Sequence, residues 1–230
     1  MDKSGITKAT LGRLPHYLQF LRELSVDDVP YISATVIAKK LSLGEVQVRK
    51  DLSCASSAGR PKVGYETNVL ISDLQEFLDY NNTKNAIIVG AGDLGKALLG
   101  YNGFTSYGLN VVAAFDSDEN LCGTNVKGKP IYHISQMEEV INSLDVHIGI
   151  ITTPAKFAQR TCDNLVKFGV KGIWNFAPTS LTIPKGVIVQ NENMATSLAL
   201  LSMHLQAQMK VYFYQSRLDP LWHVLHLLLH

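Results

Sequence analysis

The residues best suited to chemistry lie in one stretch, Gly90-Ala91-Gly92-Asp93-Leu94-Gly95, entered from the apolar run Ala86-Ile87-Ile88-Val89 and left through Lys96-Ala97-Leu98-Leu99. The run is too short for a helix and rich in β-branched side chains, so it predicts a buried parallel strand that turns directly into a helix. A dinucleotide-binding turn needs that context. The first glycine permits the tight turn, the second lets the backbone approach a pyrophosphate, the third allows close helix packing, and the helix start offers unpaired N–H groups to the anion. A second apolar run, Val111-Val112-Ala113-Ala114-Phe115, ends in Asp116, about 20 residues past the last glycine, where a carboxylate would accept from ribose hydroxyls. Asp116 would repel a 2′-phosphate, and no arginine follows it. The expected ligand is NAD(H) rather than NADP(H).

A second chemistry is written between Lys39 and Lys62. Six basic residues (Lys39, Lys40, Arg49, Lys50, Arg60, Lys62) stand there against two acidic ones, Glu45 and Asp51, in a chain whose net charge is only +1. A local basic patch on a neutral chain is an electrostatic footprint for nucleic acid, a solvated surface being the plainer alternative. Ser33 can cap a helix carrying Ile37, Ala38 and Leu41, and the short turn Ser42-Leu43-Gly44 leads into another from about Glu45 to Cys54. That order suggests helix-turn-helix. Val48, Leu52 and Ala55 would face the core, which leaves Gln47, Arg49, Lys50 and Ser53 outside. Arginine and lysine suit guanine edges and phosphates, and glutamine suits adenine or phosphate. Ser56 to Tyr65 follows, with Gly59, Pro61 and Gly64 to make a hairpin and Arg60 and Lys62 at its tip, as in the wing of a winged helix.

The remaining elements must position these two groups. Leu14, Tyr17, Leu18, Leu21 and Leu24 have helical spacing, with Pro15 suited to a first turn, and Leu70, Leu74, Phe77 and Leu78 mark another amphipathic helix. The polar link Tyr80 to Lys84 sets a boundary. Domains are therefore expected at 1–80 (winged helix), 85–192 (dinucleotide-binding) and 193–230 (C-terminal helix and tail). After the glycine turn, strand and helix alternate: Ile131-Tyr132, Ser135 to Leu144, Val146 to Ile151, Pro154 to Phe168 with proline at the first helical position, Gly172 to Phe176, and Val187 to Val189. Such alternation predicts an α/β fold with a doubly wound parallel sheet, whose ligands bind at the carboxyl ends of the strands. Asp116, Thr152-Thr153-Pro154 and Asn175-Phe176 fall at those ends. A long helix from about Asn193 carries Leu198, Leu201 and Leu205 on one stripe.

With 46% hydrophobic and 18% charged residues, the 230-residue chain has the composition of a soluble globular protein. Cys54, Cys122 and Cys162 are odd in number and lack a metal-ligand spacing, which points to reduced thiols in a cytoplasm. No apolar leader follows Met1, and no uncharged run is long enough to span a bilayer, so no membrane partner is expected. His223, His226 and His230 fall at i, i+3 and i+7 without an acidic or cysteine partner, and no metal site is assigned to them.

The two halves, read separately, together resemble the Rex family of bacterial redox-sensing transcriptional repressors. The likeness covers about Leu11 to Leu205. It rests on Gln47-Val48-Arg49-Lys50-Asp51-Leu52-Ser53, Val63-Gly64-Tyr65, Val89 to Leu98, Ala113 to Asp116, Ile150 to Ala155, and Lys171 to Pro178. The resemblance implies a homodimer that binds a palindromic double-stranded operator and releases it when NADH binds, with NAD⁺ competing for the site as a sensed ligand. It implies that Gly90 to Gly95 hold the pyrophosphate, that Asp116 holds the adenosine ribose, and that Tyr101, Phe104 and Phe176 lie near the nicotinamide. It further implies that Arg49, Lys50 and the Arg60 to Lys62 wing contact DNA, and that the helix from Asn193 is exchanged between subunits. Asn193 stands where many members have an aspartate, and Gln19 where an arginine is common.

Two other function classes fit parts of the pattern. An NAD-dependent oxidoreductase would account for the glycine turn, and Tyr80 and Lys84 have the Tyr-x-x-x-Lys spacing of short-chain dehydrogenases. That pair precedes the turn, however, and no acid–base pair converges on the strand ends, so no catalytic residue is assigned. A CoA-binding module would account for Thr153-Pro154-Ala155 after a strand, although Asp116 speaks against it.

Overall fold

The computed structural model describes residues 6–24 and 29–210. Contacts divide the chain into two compact units, one running to Asn85 and including Tyr101–Val111, the other comprising Ala86–Gly100 and the chain from Val112 onward. This division differs from contiguous domains at 1–80 and 85–192. The cause lies in the stretch after the glycine-turn helix. Arg22 donates twice to the Ser106 carbonyl, both at 3.2 Å, and the Tyr80 and Tyr107 rings meet edge to face at 5.4 Å.

In the first unit, α1 (Lys8–Glu23) begins well before Leu14, because the Thr7 hydroxyl accepts the Thr10 N–H and caps it. Pro15 therefore sits inside the helix instead of in its first turn, and the Leu11 carbonyl lacks the N–H donor that another residue would supply. β1 (Tyr31–Ile32) leads to α2 (Ala34–Lys40), capped by Ser33 as its sequence suggests. The left-handed residue of the following turn is Ser42, at φ 55°, and Gly44 instead precedes α3 (Glu45–Ala55) in extended conformation. β2 (Tyr65–Glu66) pairs antiparallel with β1, and α4 (Thr67–Phe77) closes the unit. Leu14, Tyr17, Leu21, Ile37, Val48, Leu52, Leu70 and Leu74 fill its core.

The second unit is built on a seven-stranded sheet ordered β5-β6-β4-β3-β7-β8-β9. Its strands are β3 (Lys84–Val89), β4 (Leu109–Asp116), β5 (Asn125–Val126), β6 (Lys129–His133), β7 (Val146–Ile151), β8 (Gly172–Asn175) and β9 (Ile188–Asn191). β4 with β6, β7 with β8 and β8 with β9 run parallel. Only β5 had no counterpart in the expected pattern. It forms an antiparallel hairpin with β6 through Lys127 (φ 52°) and Gly128 (φ 83°), two left-handed residues that make the tight connection favoured by twisted strands.

The helices are α5 (Asp93–Leu99), α6 (Met137–Ser143) and α7 (Ala155–Lys167), with short 3-10 turns at Asn102–Tyr107 and Ile134–Gln136. Pro154 stands at the cap position of α7, one residue before the first helical one. Ile87, Val89, Ala113, Phe115, Ile151, Leu165 and Ile173 form the core. Residues 194–210 are helical and every one is exposed, Leu198, Leu201 and Leu205 included. His223, His226, His230 and the rest of the tail lie outside the described residues.

Candidate nucleotide and nucleic-acid sites

The glycine turn connects β3 to α5, as strand period and glycine spacing predict. Its three glycines divide the labour. Gly90 has φ 105°, and a Cβ there would stand 2.9 Å from the Thr152 carbonyl carbon; a Cβ on Gly95 would stand 1.9 Å from the Gly90 oxygen. Both positions are closed by the protein's own backbone. A Cβ on Gly92 would meet nothing within 4 Å, so the middle glycine keeps space open beside the first N–H groups of α5, which have no partner within the helix. Ala91 is buried, whereas Asp93 and Leu94 are exposed.

Asp116 ends β4 beside this turn. One carboxylate oxygen accepts the Ala91 N–H at 2.6 Å and the other accepts the Asp118 N–H at 3.0 Å. The carboxylate is thereby tied to the turn and remains partly accessible. In the parallel ladder Asp116 lies opposite His133, whose ring nitrogen meets the Ser135 hydroxyl at 2.8 Å. Sequence reasoning did not single out His133, because β6 was recognisable only as a two-residue apolar pair.

Across the turn, the Thr152 hydroxyl lies 2.7 Å from the Gly90 carbonyl and 3.2 Å from that of Val89, pinning the end of β7 to the turn. Thr153 Oγ1 is buried and has no hydrogen-bond partner, a cost that a bound polar group would relieve. Pro154 is exposed at the mouth of α7. The open face at Gly92, the tethered carboxylate and the orphaned hydroxyl fit a dinucleotide.

Asn175 requires a correction. Expected among the ligand contacts, it is 1% exposed and fully engaged: its amide nitrogen donates to the Thr179 carbonyl at 2.9 Å and to Asn191 Oδ1 at 2.8 Å, while its oxygen accepts the Ala177 N–H at 3.0 Å. It shapes the loop that carries Phe176. The half-buried Phe176 ring packs on Trp174 at 5.0 Å, and the Trp174 indole donates to Glu192 at 2.8 Å. Tyr101 and Phe104 pack edge to face at 4.9 Å in the stretch that clusters with the first unit. Burial pushes the Cys122 and Cys162 thiols up, which favours their protonated forms.

In the first unit, α3 presents Gln47, Arg49, Lys50 and Ser53 outward, and Val48, Leu52 and Ala55 inward, as their spacing predicts. Arg49 pairs with Glu45 one turn earlier, and the Ser53 hydroxyl donates to the Lys50 carbonyl at 2.8 Å. Asp51, counted above as a surface charge, is buried. Arg13 of α1 grips it with two hydrogen bonds, Nε at 2.7 Å and an Nη at 2.9 Å, and Tyr17 adds one at 2.8 Å. Burial alone would raise the Asp51 pKa, but the hydrogen bonds from Arg13, Tyr17 and Thr10 outweigh it and hold the carboxyl below its ordinary value. Burial, with Asp51 adding to it, pushes the Tyr17 hydroxyl up to about 12. With Asp51 neutralised inside, the outer face of α3 is more cationic than its sequence suggests.

The wing is a tight hairpin in which Arg60 and Gly64 exchange backbone hydrogen bonds at 2.8 and 2.9 Å, with Lys62 left-handed at its tip. Gly64 is required there, since at φ 93° its Cβ would stand 2.4 Å from the Ile32 oxygen. Between wing and α3 runs a groove of about 610 Å³ lined by Ser33, Thr35, Arg49, Arg60, Lys62 and Tyr65 among others. Three cations and no carboxylate line it, which suits a phosphate backbone. Tyr80 and Lys84 form no acid–base couple: burial and the neighbouring Tyr107 raise the Tyr80 hydroxyl, and Lys84 pairs with Asp79. Among the described residues no cluster of potential metal ligands occurs, and no helix is long and apolar enough to cross a membrane.

Residues 81–179 match the family model described as CoA binding domain, and residues 5–53 match the model described as Putative DNA-binding protein N-terminus. The chain is 41% identical over 194 residues to the redox-sensing transcriptional repressor Rex of Treponema denticola, covering 84% of this chain and 92% of that protein. The Rex repressor of Bacteroides fragilis is 38% identical over 200 residues, covering 87% and 91%. Among solved structures, RSP in complex with β-NAD⁺ and operator DNA superimposes with a TM-score of 0.83 at 33% identity, covering 93% of this chain and 99% of that one. RSP in complex with β-NADH gives 0.80, covering 91% and 98%.

Proposed function

The chain belongs to the Rex family of redox-sensing transcriptional repressors, and on that premise we propose that it binds a palindromic operator as a homodimer and releases it when NADH fills the glycine-turn site. It is a regulator and not an enzyme, with NAD(H) as the sensed ligand. The observation that carries the reading is the carboxylate of Asp116, tied to Ala91 beside the open face of Gly92, in the same chain as a cationic helix-turn-helix groove.

In this reading, the backbone from Gly90 to Gly95 takes the pyrophosphate and Asp116 the adenosine ribose. Thr152, Thr153 and Pro154 close the middle of the site, and Phe176 supplies apolar surface for the nicotinamide. Oxidised and reduced nucleotide differ at that ring by one positive charge and a hydride, and an apolar lining disfavours an unpaired buried cation. The neutral reduced form is therefore preferred. Preference becomes regulation only where NADH binds the DNA-releasing arrangement of the dimer more tightly than the DNA-holding one. By reciprocity, operator DNA weakens NADH binding. The CoA reading is disfavoured, because CoA carries a phosphate on its adenosine ribose and Asp116 would repel it.

Arg49, Lys50 and Ser53 read the major groove, while Arg60 and Lys62 hold the flanking backbone. Two reading helices about one DNA turn apart would span the half-sites of a palindrome. Residues 194–210, exposed along their whole length, supply apolar surface for the partner subunit. In this reading the first unit is the DNA-reading head, the second is the dinucleotide unit and carries the helix over residues 194–210 as its dimer contact, and the repressor acts in the bacterial cytoplasm.

The test titrates the full chain onto a labelled palindromic duplex at fixed salt, with NADH or NAD⁺ present. NADH is expected to weaken binding and NAD⁺ to leave it or oppose NADH. Equal effects of the two nucleotides would overturn the proposal.

A further inference from the structure

The exposed residues of α3 are Val46, Gln47, Arg49, Lys50 and Ser53, and one of them is apolar. Val46 is 78% exposed, more than any other large hydrophobic side chain among the described residues. A single bare hydrophobic side chain on a surface is ordinary, and its position is what gives this one meaning. Val46, Lys50 and Ser53 stand at i, i+4 and i+7, a single stripe along the helix, opposite the fully buried Val48 and Leu52. The Arg49 guanidinium pairs with Glu45 on the flank. Val46 therefore forms the crest of the outward face, in the first turn of α3. Valine is a poor helix former, and at a bare position no burial offsets that cost. Branching at Cβ restricts χ1, so its two methyls are held in place before any contact is made, and little rotamer freedom is lost in making one.

Every base pair shows hydrogen-bonding groups in the major groove, but the apolar group displayed there is the C5 methyl of thymine. In a helix-turn-helix the first residues of the reading helix are the ones that reach base edges. We propose that Val46 is a specificity-determining residue for operator recognition: at one position of each half-site its methyls cover the thymine methyl and exclude water from it. The contact involves no hydrogen bond. The preference therefore follows the methyl and not the base that carries it, and 5-methylcytosine is read in the same way as thymine. The inference rests on the reading that α3 enters the major groove, and the experiment separates the two.

The full-length protein and its Val46→Ser and Lys50→Ala variants each select sites from a randomised duplex library at fixed salt, and the palindrome selected by the unaltered protein is then remade with single altered bases. Replacing a thymine by deoxyuridine removes the methyl and leaves every hydrogen-bonding group in place. At the Val46-dependent position the unaltered protein should lose about fourfold in affinity per half-site, or about 15-fold over the palindrome. Where cytosine replaces that thymine, 5-methylcytosine should bind better than cytosine by the same factor. Val46→Ser, at a position exposed enough to keep a native melting curve, should show neither difference, and the cycle assigns the methyl effect to this side chain. Indifference of the unaltered protein to the methyl at every thymine of its half-site would overturn the proposal, as would a methyl effect that Val46→Ser retains in full. So would a Val46→Ser chain that no longer dimerises yet keeps the original base preferences, which would make Val46 a subunit contact. Should Lys50→Ala leave the selected sequences unchanged, the placement of α3 in the groove fails, and the Val46 contact with it; should Lys50→Ala change them while the methyl has no effect, the Val46 contact alone fails.

Discussion

At the nucleotide turn the decisive atoms belong to the backbone: a Cβ on Gly95 would stand 1.9 Å from the Gly90 oxygen, and one on Gly90 2.9 Å from Thr152. On α3 the side chains decide, with Asp51 alone taking four hydrogen bonds from Arg13, Tyr17 and Thr10. The first region is specified by exclusion and the second by pairing. A site made by exclusion is rigid against substitution and indifferent to pH, whereas one made by pairing weakens in steps and feels protons.

The largest effect should come from breaking the exclusion. Gly95→Ala forces the turn apart, and NADH affinity, read by nucleotide titration, is expected to fall about 100-fold or more, with operator binding no longer answering to NADH. Gly92→Ala is its control: with open space around the new methyl, the melting temperature holds while nucleotide affinity drops. Equal melting temperatures for the two variants would dissolve the distinction between closed and open glycines.

Next comes the pairing. Arg13→Ala strands a buried carboxylate and should cost about 3 kcal/mol in urea unfolding. Because the native Asp51 pKa lies below its unfolded value, the pair's contribution is fully present above the unfolded carboxyl pKa and is lost as pH falls through the native one. Asp51→Asn should accordingly flatten the acid limb of the stability profile, and no comparable flattening is expected from substitution at the glycine turn. Of similar or smaller size, Lys50→Ala should cost about 1–3 kcal/mol at particular base positions, while Lys62→Ala weakens all duplexes alike and reduces the salt slope by about 1. The smallest effect is Thr152→Val, which removes the hydroxyl donor that pins β7 to the turn and should cost about 1 kcal/mol of stability.

The glycine turn and its flanking strand and helix were readable because the signal is local: a β-branched run, three glycines at fixed spacing and a carboxylate one strand later. Which glycines are closed by the fold and which is open was not readable, since Thr152 and the Gly90 carbonyl approach only in three dimensions. The outward face of α3 followed from its period. Asp51 did not, because its partners lie 38 and 34 residues away in Arg13 and Tyr17, and no window on α3 reports them. Pro15 misled for a related reason: its fixed φ suits a first turn, but Thr7 caps the helix earlier. Asn175 has the residue type of a ligand contact, and only its filled hydrogen bonds reveal a brace. The β5 hairpin left a trace in Lys127-Gly128, too short to outweigh the polar sequence around it.

The stretch from Tyr101 to Val111 leaves the dinucleotide unit directly after α5, joins the first unit through Arg22 and Tyr80, and returns as β4. The reading head is thus assembled from two separate pieces of chain. Grafting another operator specificity onto this sensor by a single crossover near residue 84 would bring in a foreign α1 and leave behind the loop that answers it. A working chimera needs two exchanges, one on each side of α5, and recombination between relatives meets the same restriction.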